Sequence, residues 1–113
     1  MCTKTELNQI LNRLAKLYRA TYGEQLVKVI LYGSYARGDN TVDSDVDVVA
    51  LVHGDRAALQ EQLKAIWDVS SDMELEYGII LSPTVIPYEE FVAYVNDLPY
   101  YRNIAQEGIE VAA

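Results

Sequence analysis

Two aspartates one residue apart, Asp45 and Asp47, open an apolar run that continues to Val52. Upstream, a β-branched run ends in Gly33-Ser34, and Arg37 follows after Tyr35-Ala36. On a strand, residues i and i+2 project from one face roughly 6.5 Å apart along the chain. Two hard carboxylates at that separation can hold one or two Mg2+ ions, which bind oxygen and keep some ligands for substrate phosphates. Two such ions about 3.5–4 Å apart can stabilise both the attacking and the leaving oxygen of an in-line displacement. Gly33 lets backbone amides approach a phosphate, and Ser34 with the amides after it opens a short helix whose donors suit an anion. Arg37 adds a planar, permanently charged phosphate clamp. The bland alternative is a Gly-Ser turn and an Asp-rich loop capping an ordinary strand. That alternative must still find cations for two acids entering a buried strand together.

Written as a pattern the stretch is Gly-Ser-x10-Asp-x-Asp. With four fixed residues near ordinary frequencies of about 5–7%, it arises in roughly one chain of this length per thousand, so coincidence is set aside. The pattern resembles the signature of the DNA polymerase β-like nucleotidyltransferases. The form Gly33-Ser34-Tyr35-Ala36-Arg37-Gly38-Asp39 is most similar to their minimal nucleotidyltransferase (MNT) branch. The C-terminal Leu98-Pro99-Tyr100-Tyr101-Arg102-Asn103-Ile104 with Glu107-Gly108 also resembles the end of bacterial MNT proteins, extending the likeness along the chain.

The elements that must position these residues can be read around them. Thr3 with Glu6 three residues on has the form of a capping box. Leu7, Ile10, Leu11, Leu14, Leu17 and Tyr18 then recur at helical spacing up to Gly23, with Arg13, Lys16 and Arg19 on the polar side. Residues 26–32 read as a strand, 34–37 as a helical turn, Gly38-Asp39-Asn40 as a turn, and 46–52 as a buried strand stopped by His53-Gly54. His53 has no role assigned to it. Asp55 caps a helix to about Val69 with Leu59, Leu63, Ile66 and Trp67 as its core stripe.

From Asp72 to Tyr77 acidic and apolar residues alternate, the period of a half-buried strand with its acids on one face. Gly78-Ile79-Ile80-Leu81 is apolar, Ser82-Pro83 interrupts, and Val85-Ile86 precedes Pro87. A helix then buries Phe91, Val92 and Val95, and a last one starts at Pro99 and stops at Gly108. The order implies an α+β (α/β-like) domain over 1–113. The resemblance implies a small mixed sheet with flanking helices and the metal site at its edge.

Composition is that of one globular domain: 113 residues, half of them apolar and 23% charged. No apolar run approaches membrane-spanning length and the first residues lack a signal-peptide pattern. Cys2 is the only cysteine. A cytoplasmic location is therefore expected. The net charge of −8 argues against nonspecific nucleic-acid binding. It is unevenly placed: residues 1–38 carry six basic and two acidic side chains, and the remainder three and fifteen.

Relatives of the polymerase β-like type carry a third carboxylate on the next strand, as metal ligand or base. On the strand expected over 72–77 the candidates are Asp72, Glu74 and Glu76, with Glu76 preferred because it lies nearest the buried end. The resemblance thus implies Asp45, Asp47 and Glu76 as catalytic metal ligands, Gly33, Ser34 and Arg37 as nucleotide ligands, Mg2+ (two ions) as cofactor and ATP as substrate. Larger members append a domain that binds base or acceptor, and 113 residues leave no room for one. A partner or second copy is expected to supply the acceptor surface. MNT proteins of this size resemble the MntA-type antitoxins of paired HEPN/MNT systems. The implied partner is a helical HEPN-type ribonuclease toxin, and the implied reaction is adenylylation of a tyrosine on it. The alternatives are a subunit modifying a small aminoglycoside, for which an acidic surface would suit, and an antitoxin that masks its partner sterically.

Overall fold

The computed structural model describes residues 2–111. Its framework is a four-stranded mixed sheet of order β3-β2-β1-β4. β1 (Leu26–Tyr32) runs antiparallel to β2 (Val46–Val52) and to the short β4 (Ile109–Val111), while β3 (Leu81–Pro87) lies parallel to β2. Around it stand α1 (Lys4–Tyr22), the single turn α2 (Ser34–Arg37), α3 (Arg56–Tyr77), α4 (Tyr88–Tyr94) and α5 (Pro99–Glu107). A turn of 3-10 helix, Gly23–Gln25, leads into β1. Among the described residues no helix is long and apolar enough to cross a membrane.

Strand alternation splits the core into two layers. Val29, Leu31, Val46, Val48, Ala50 and Val52 pack against the α1 stripe of Ile10, Leu14 and Tyr18 and the α3 stripe of Leu59, Leu63, Ile66 and Met73. Ile30, Val49, Leu51 and Ile86 pack on the other face against Phe91 of α4 and Tyr101 and Ile104 of α5. The parity puts Asp47 on this second face, two residues before Val49. Polar atoms in the core are satisfied. Tyr18 donates to the Thr84 carbonyl at 2.8 Å and Tyr22 to the Leu59 carbonyl at 2.8 Å.

The expected start of α1 is present as a complete capping box, Thr3 Oγ1 accepting from Glu6 N and Glu6 Oε1 from Thr3 N. Asp55 caps α3 as expected, accepting from Ala58 N. Four expectations are corrected. Residues 72–77 are not a strand: α3 runs to Tyr77, because no Gly or Pro interrupts it and Ser70, Met73 and Tyr77 continue its inner stripe at helical spacing. Gly78 then ends it in the left-handed region (φ 65°, ψ 36°). Ser82-Pro83 does not interrupt β3, which is the sheet's edge strand and so tolerates a proline that offers no N–H. Trp67 lies outside the core, 44% exposed, its Nε1 donating to the Pro83 carbonyl. Val92 is exposed rather than buried. The three-residue β4 was not foreseen.

Two outcomes follow. Leu63→Ala, at a site 1% exposed, is expected to cost about 2–5 kcal/mol in urea unfolding with an unchanged m-value. Burial pushes the Tyr22 hydroxyl up to about 12, and that of Tyr18 up as well. The folded state thus holds these protons more tightly than the unfolded chain does. Stability is full below the ordinary tyrosine pKa of about 10. It should fall as pH rises toward and through about 12, with unfolding and tyrosinate absorbance moving together in an alkaline titration.

Candidate active site

The register of β1 on β2 sets Tyr32 opposite Asp47. At the end of β1 the chain turns through Gly33 (φ 76°, ψ −157°) into α2. The Asp47 carboxylate lies against the bare Cα of Gly33, where any Cβ would overlap Asp47 Oδ2. Glycine is therefore required twice, for a backbone conformation that other residues rarely adopt and for the close approach. Ser34 and Tyr35 begin α2, and the Gly33 carbonyl accepts from the amides of Ala36 and Arg37. The structure thus brings Gly33, Ser34, Arg37, Asp45 and Asp47 to one end of the sheet.

Neither the Asp45 nor the Asp47 side chain makes a hydrogen bond or ion pair to another described residue. Both are partly buried. Burial holds the Asp47 carboxyl above the usual aspartate range; the Asp45 charge adds to this and Arg37 counters it. Two partly buried carboxylates with no protein cation between them suit a bound divalent cation, so this donor pair fits Mg2+. Arg37 is anchored rather than free, with Nε 3.1 Å from Asp39 Oδ2 and Nη1 3.2 Å from Glu107 Oε2. A concavity of about 210 Å3 opens beside Gly33, bounded by Tyr32, Arg37, Tyr100, Asn103 and Glu107.

Glu76 is not brought to this pair. It sits on the last turn of α3, exposed, with Oε2 2.9 Å from Arg13 Nη1. Glu74 is engaged elsewhere, its Oε2 accepting from the Leu81 amide at 2.8 Å and tying the end of α3 to the start of β3. Asp72 is exposed on the same helix. Among the described residues no three His, Cys, Asp or Glu side chains gather closely enough to hold a metal. The strand beside β2 is β3, where Ser82 stands in register with Asp47. Thr84, two residues on, shares its face. β3 carries hydroxyls where a third carboxylate would be expected, a placement visible only once its parallel register is known.

The profile described as "Nucleotidyltransferase domain" matches residues 7–111. A protein of Methanocaldococcus jannaschii named "Putative protein adenylyltransferase" is 32% identical over 102 residues, 90% of each chain. A second of the same name and organism is 33% identical over 106 residues, 94% of this chain and 99% of the other. The crystal structure of a mutant of the toxin–antitoxin MntA-HpeT superposes with TM-score 0.56 at 17% identity, covering 91% of this chain and 73% of that one. A crystal structure of a toxin–antitoxin with AMP-PNP gives TM-score 0.51 at 19% identity, with 91% and 73% covered. At these identities the structural likeness is one of fold.

Gly33→Ala is expected to displace Asp47 and to cost about 10²-fold or more in transfer, the scale of a 1 Å misplacement. Asp47→Asn should raise the Tm at neutral pH, since it removes a repelled, partly buried charge. Because the folded-state pKa of Asp47 is raised, acidification protonates it first in the folded wild type. The gap between wild type and variant should therefore close as pH falls through the aspartate range. A Tm for Asp47→Asn below wild type at neutral pH would contradict this electrostatic picture.

Proposed function

This chain belongs to the nucleotidyltransferase domain family, and from that membership we propose that it moves AMP from ATP, with Mg2+, onto a tyrosine of a helical HEPN-type ribonuclease toxin, as that toxin's antitoxin. The observation that carries the reading is the unpartnered Asp45–Asp47 pair set against the Gly33-Ser34 turn. Ser34 and the amides opening α2 would bind phosphate oxygens, and Arg37 would neutralise charge on the departing pyrophosphate. Asp45 and Asp47 would hold the divalent cation. Bound there, it supplies Lewis-acid polarisation of the phosphoryl group and a template for the triphosphate. The adenylyl specificity is supported by the names of the two M. jannaschii relatives. A paired toxin is supported by the toxin–antitoxin structures that share the fold, and ATP by the AMP-PNP in one of them.

The acceptor preference has a physical argument of its own. β3 offers Ser82 and Thr84 where a general base would stand, so the acceptor must lose its proton with little help. A phenol, with a pKa of about 10, parts with it far more readily than an aliphatic alcohol. A protein acceptor would also bring its own positioning surface, and in-line transfer depends on holding nucleophile and phosphorus together. Val42, Leu75 and Ile80 are 72%, 87% and 59% exposed and line one concavity of about 410 Å3 with Asp43, Ser44 and Glu74. An apolar patch rimmed by acids, beside the loop that carries Asp45 into β2, suits a basic protein partner.

The test is to mix the protein with its proposed helical toxin partner, ATP and Mg2+, and weigh that partner intact. Mass gains in multiples of one AMP unit are expected, lost with Asp45→Asn and retained with Glu76→Gln. A partner neutralised without any gain in mass would make this a steric antitoxin. Ser82→Asp, which restores a carboxylate in register with Asp47, should tighten Mg2+ binding in calorimetry by about tenfold, the order of 1.4 kcal/mol.

A further inference from the structure

Tyr100 stands at the rim of this site, and none of the roles above uses it. It is the second residue of α5, held in the first turn by Pro99 at the helix start. Its hydroxyl lies 2.9 Å from that of Tyr32, with the rings edge to face at 5.9 Å. Tyr32 in turn is the sheet partner of Asp47. Tyr100, Gly33 and Arg37 line the same concavity of about 210 Å3. We propose that Tyr100 is an acceptor in its own right, and that in the absence of a partner the chain adenylylates its own Tyr100 hydroxyl; this rests on the adenylyl-transfer reading above.

The other tyrosines of the chain are poorer candidates. Tyr18, Tyr22, Tyr35 and Tyr101 are buried. Tyr77 sits by Arg13 on α3, Tyr88 packs on His53, and Tyr94 lies at the far end of α4. Tyr32 is largely enclosed, and burial, then its contact with Tyr100, keeps it protonated. Tyr100 is 47% exposed and stands open to solvent at the rim of the concavity.

In the step itself, Tyr100 Oη attacks the α-phosphorus of ATP. The Oη–P bond forms as the bond to the oxygen bridging the β-phosphate breaks, pyrophosphate leaves, and the phenolic proton passes to water. A tethered hydroxyl reacts at the effective concentration set by its anchorage, here the first turn of α5 and the contact with Tyr32 on β1. One AMP per chain is the limit, because the product fills the concavity beside Gly33 and obstructs the next nucleotide. A bound partner tyrosine and Tyr100 would compete for the same adenylyl group, which makes self-modification a brake on idle protein.

The experiment incubates the protein alone with ATP and Mg2+, measures intact mass and maps the modified peptide, beside Tyr100→Phe and Asp47→Asn. Metal-dependent ATP binding is measured by calorimetry on the same wild-type sample. The expected result is one AMP on Tyr100 of the wild type and none on either variant, with Tyr100→Phe still binding ATP. An unmodified wild type that binds ATP would overturn self-adenylylation and leave the partner reaction standing. Label on another residue, or label persisting in Tyr100→Phe, would overturn it equally. A wild type that shows no Mg2+-dependent ATP binding would take down the transfer reading and this inference together.

Discussion

The contact between the Asp47 carboxylate and the bare Cα of Gly33 is the constraint around which the functional end of the molecule is built. It exists because β1 and β2 are antiparallel neighbours with Tyr32 opposite Asp47, so the turn leaving β1 must pass over the carboxylate. Only glycine can make that turn at φ 76° without striking Oδ2. The result places the Gly33-Ser34 turn, with the free amides that open α2, directly beside an anionic pair. The raised pKa of Asp47 is the same constraint expressed as energy: burial and the Asp45 charge both disfavour its ionised form in the bare protein. The fold tolerates that cost at one end of the sheet and offsets it with two apolar layers elsewhere.

The layers also explain why the site is open. α1 and α3 cover one face of the sheet along its length. On the other face α4 and α5 cover Ile30, Val49, Leu51 and Ile86 but leave the end that bears Asp47, Ser82 and Tyr32 accessible. The uncovered end is lined by carboxylates from β2 and hydroxyls from β3 and α5. That set offers hard oxygen ligands of the kind that divalent cations take.

How much of this was legible in the sequence depends on the length scale of each signal. Gly33, Ser34, Asp45 and Asp47 are tied by one turn and one hairpin, and their spacing alone sufficed to place them at one strand end. α1, β1, β2 and α5 carry local punctuation, in Thr3, Gly23, Pro99 and Gly108, and were read with their limits. The third carboxylate failed because its position is non-local. The alternation of Asp72 to Tyr77 mimics a strand, but Met73 and Tyr77 are also four apart, and Leu75 between them is 87% exposed. The decisive signal was the unbroken run from Asp55 to Gly78, with its left-handed stop. Which residue of β3 faces Asp47 depends on a parallel register, and nothing in the local sequence encodes it. Trp67 failed for a related reason: its helical spacing put it near the core, but its indole N–H found the Pro83 carbonyl on the edge strand β3.

The central claim is that Asp45 and Asp47, without Glu76, form the cation site against the Gly33 turn. Substoichiometric Mn2+ added to isotope-labelled protein tests it directly, because paramagnetic broadening falls steeply with distance and does not require tight binding. The account predicts that amide signals of residues 33–35 and 45–47, and those of Ser82 and Thr84, broaden first, and that Asp45→Asn with Asp47→Asn abolishes the effect. Broadening centred on residues 72–76, or spread evenly over the acidic surface, would contradict it.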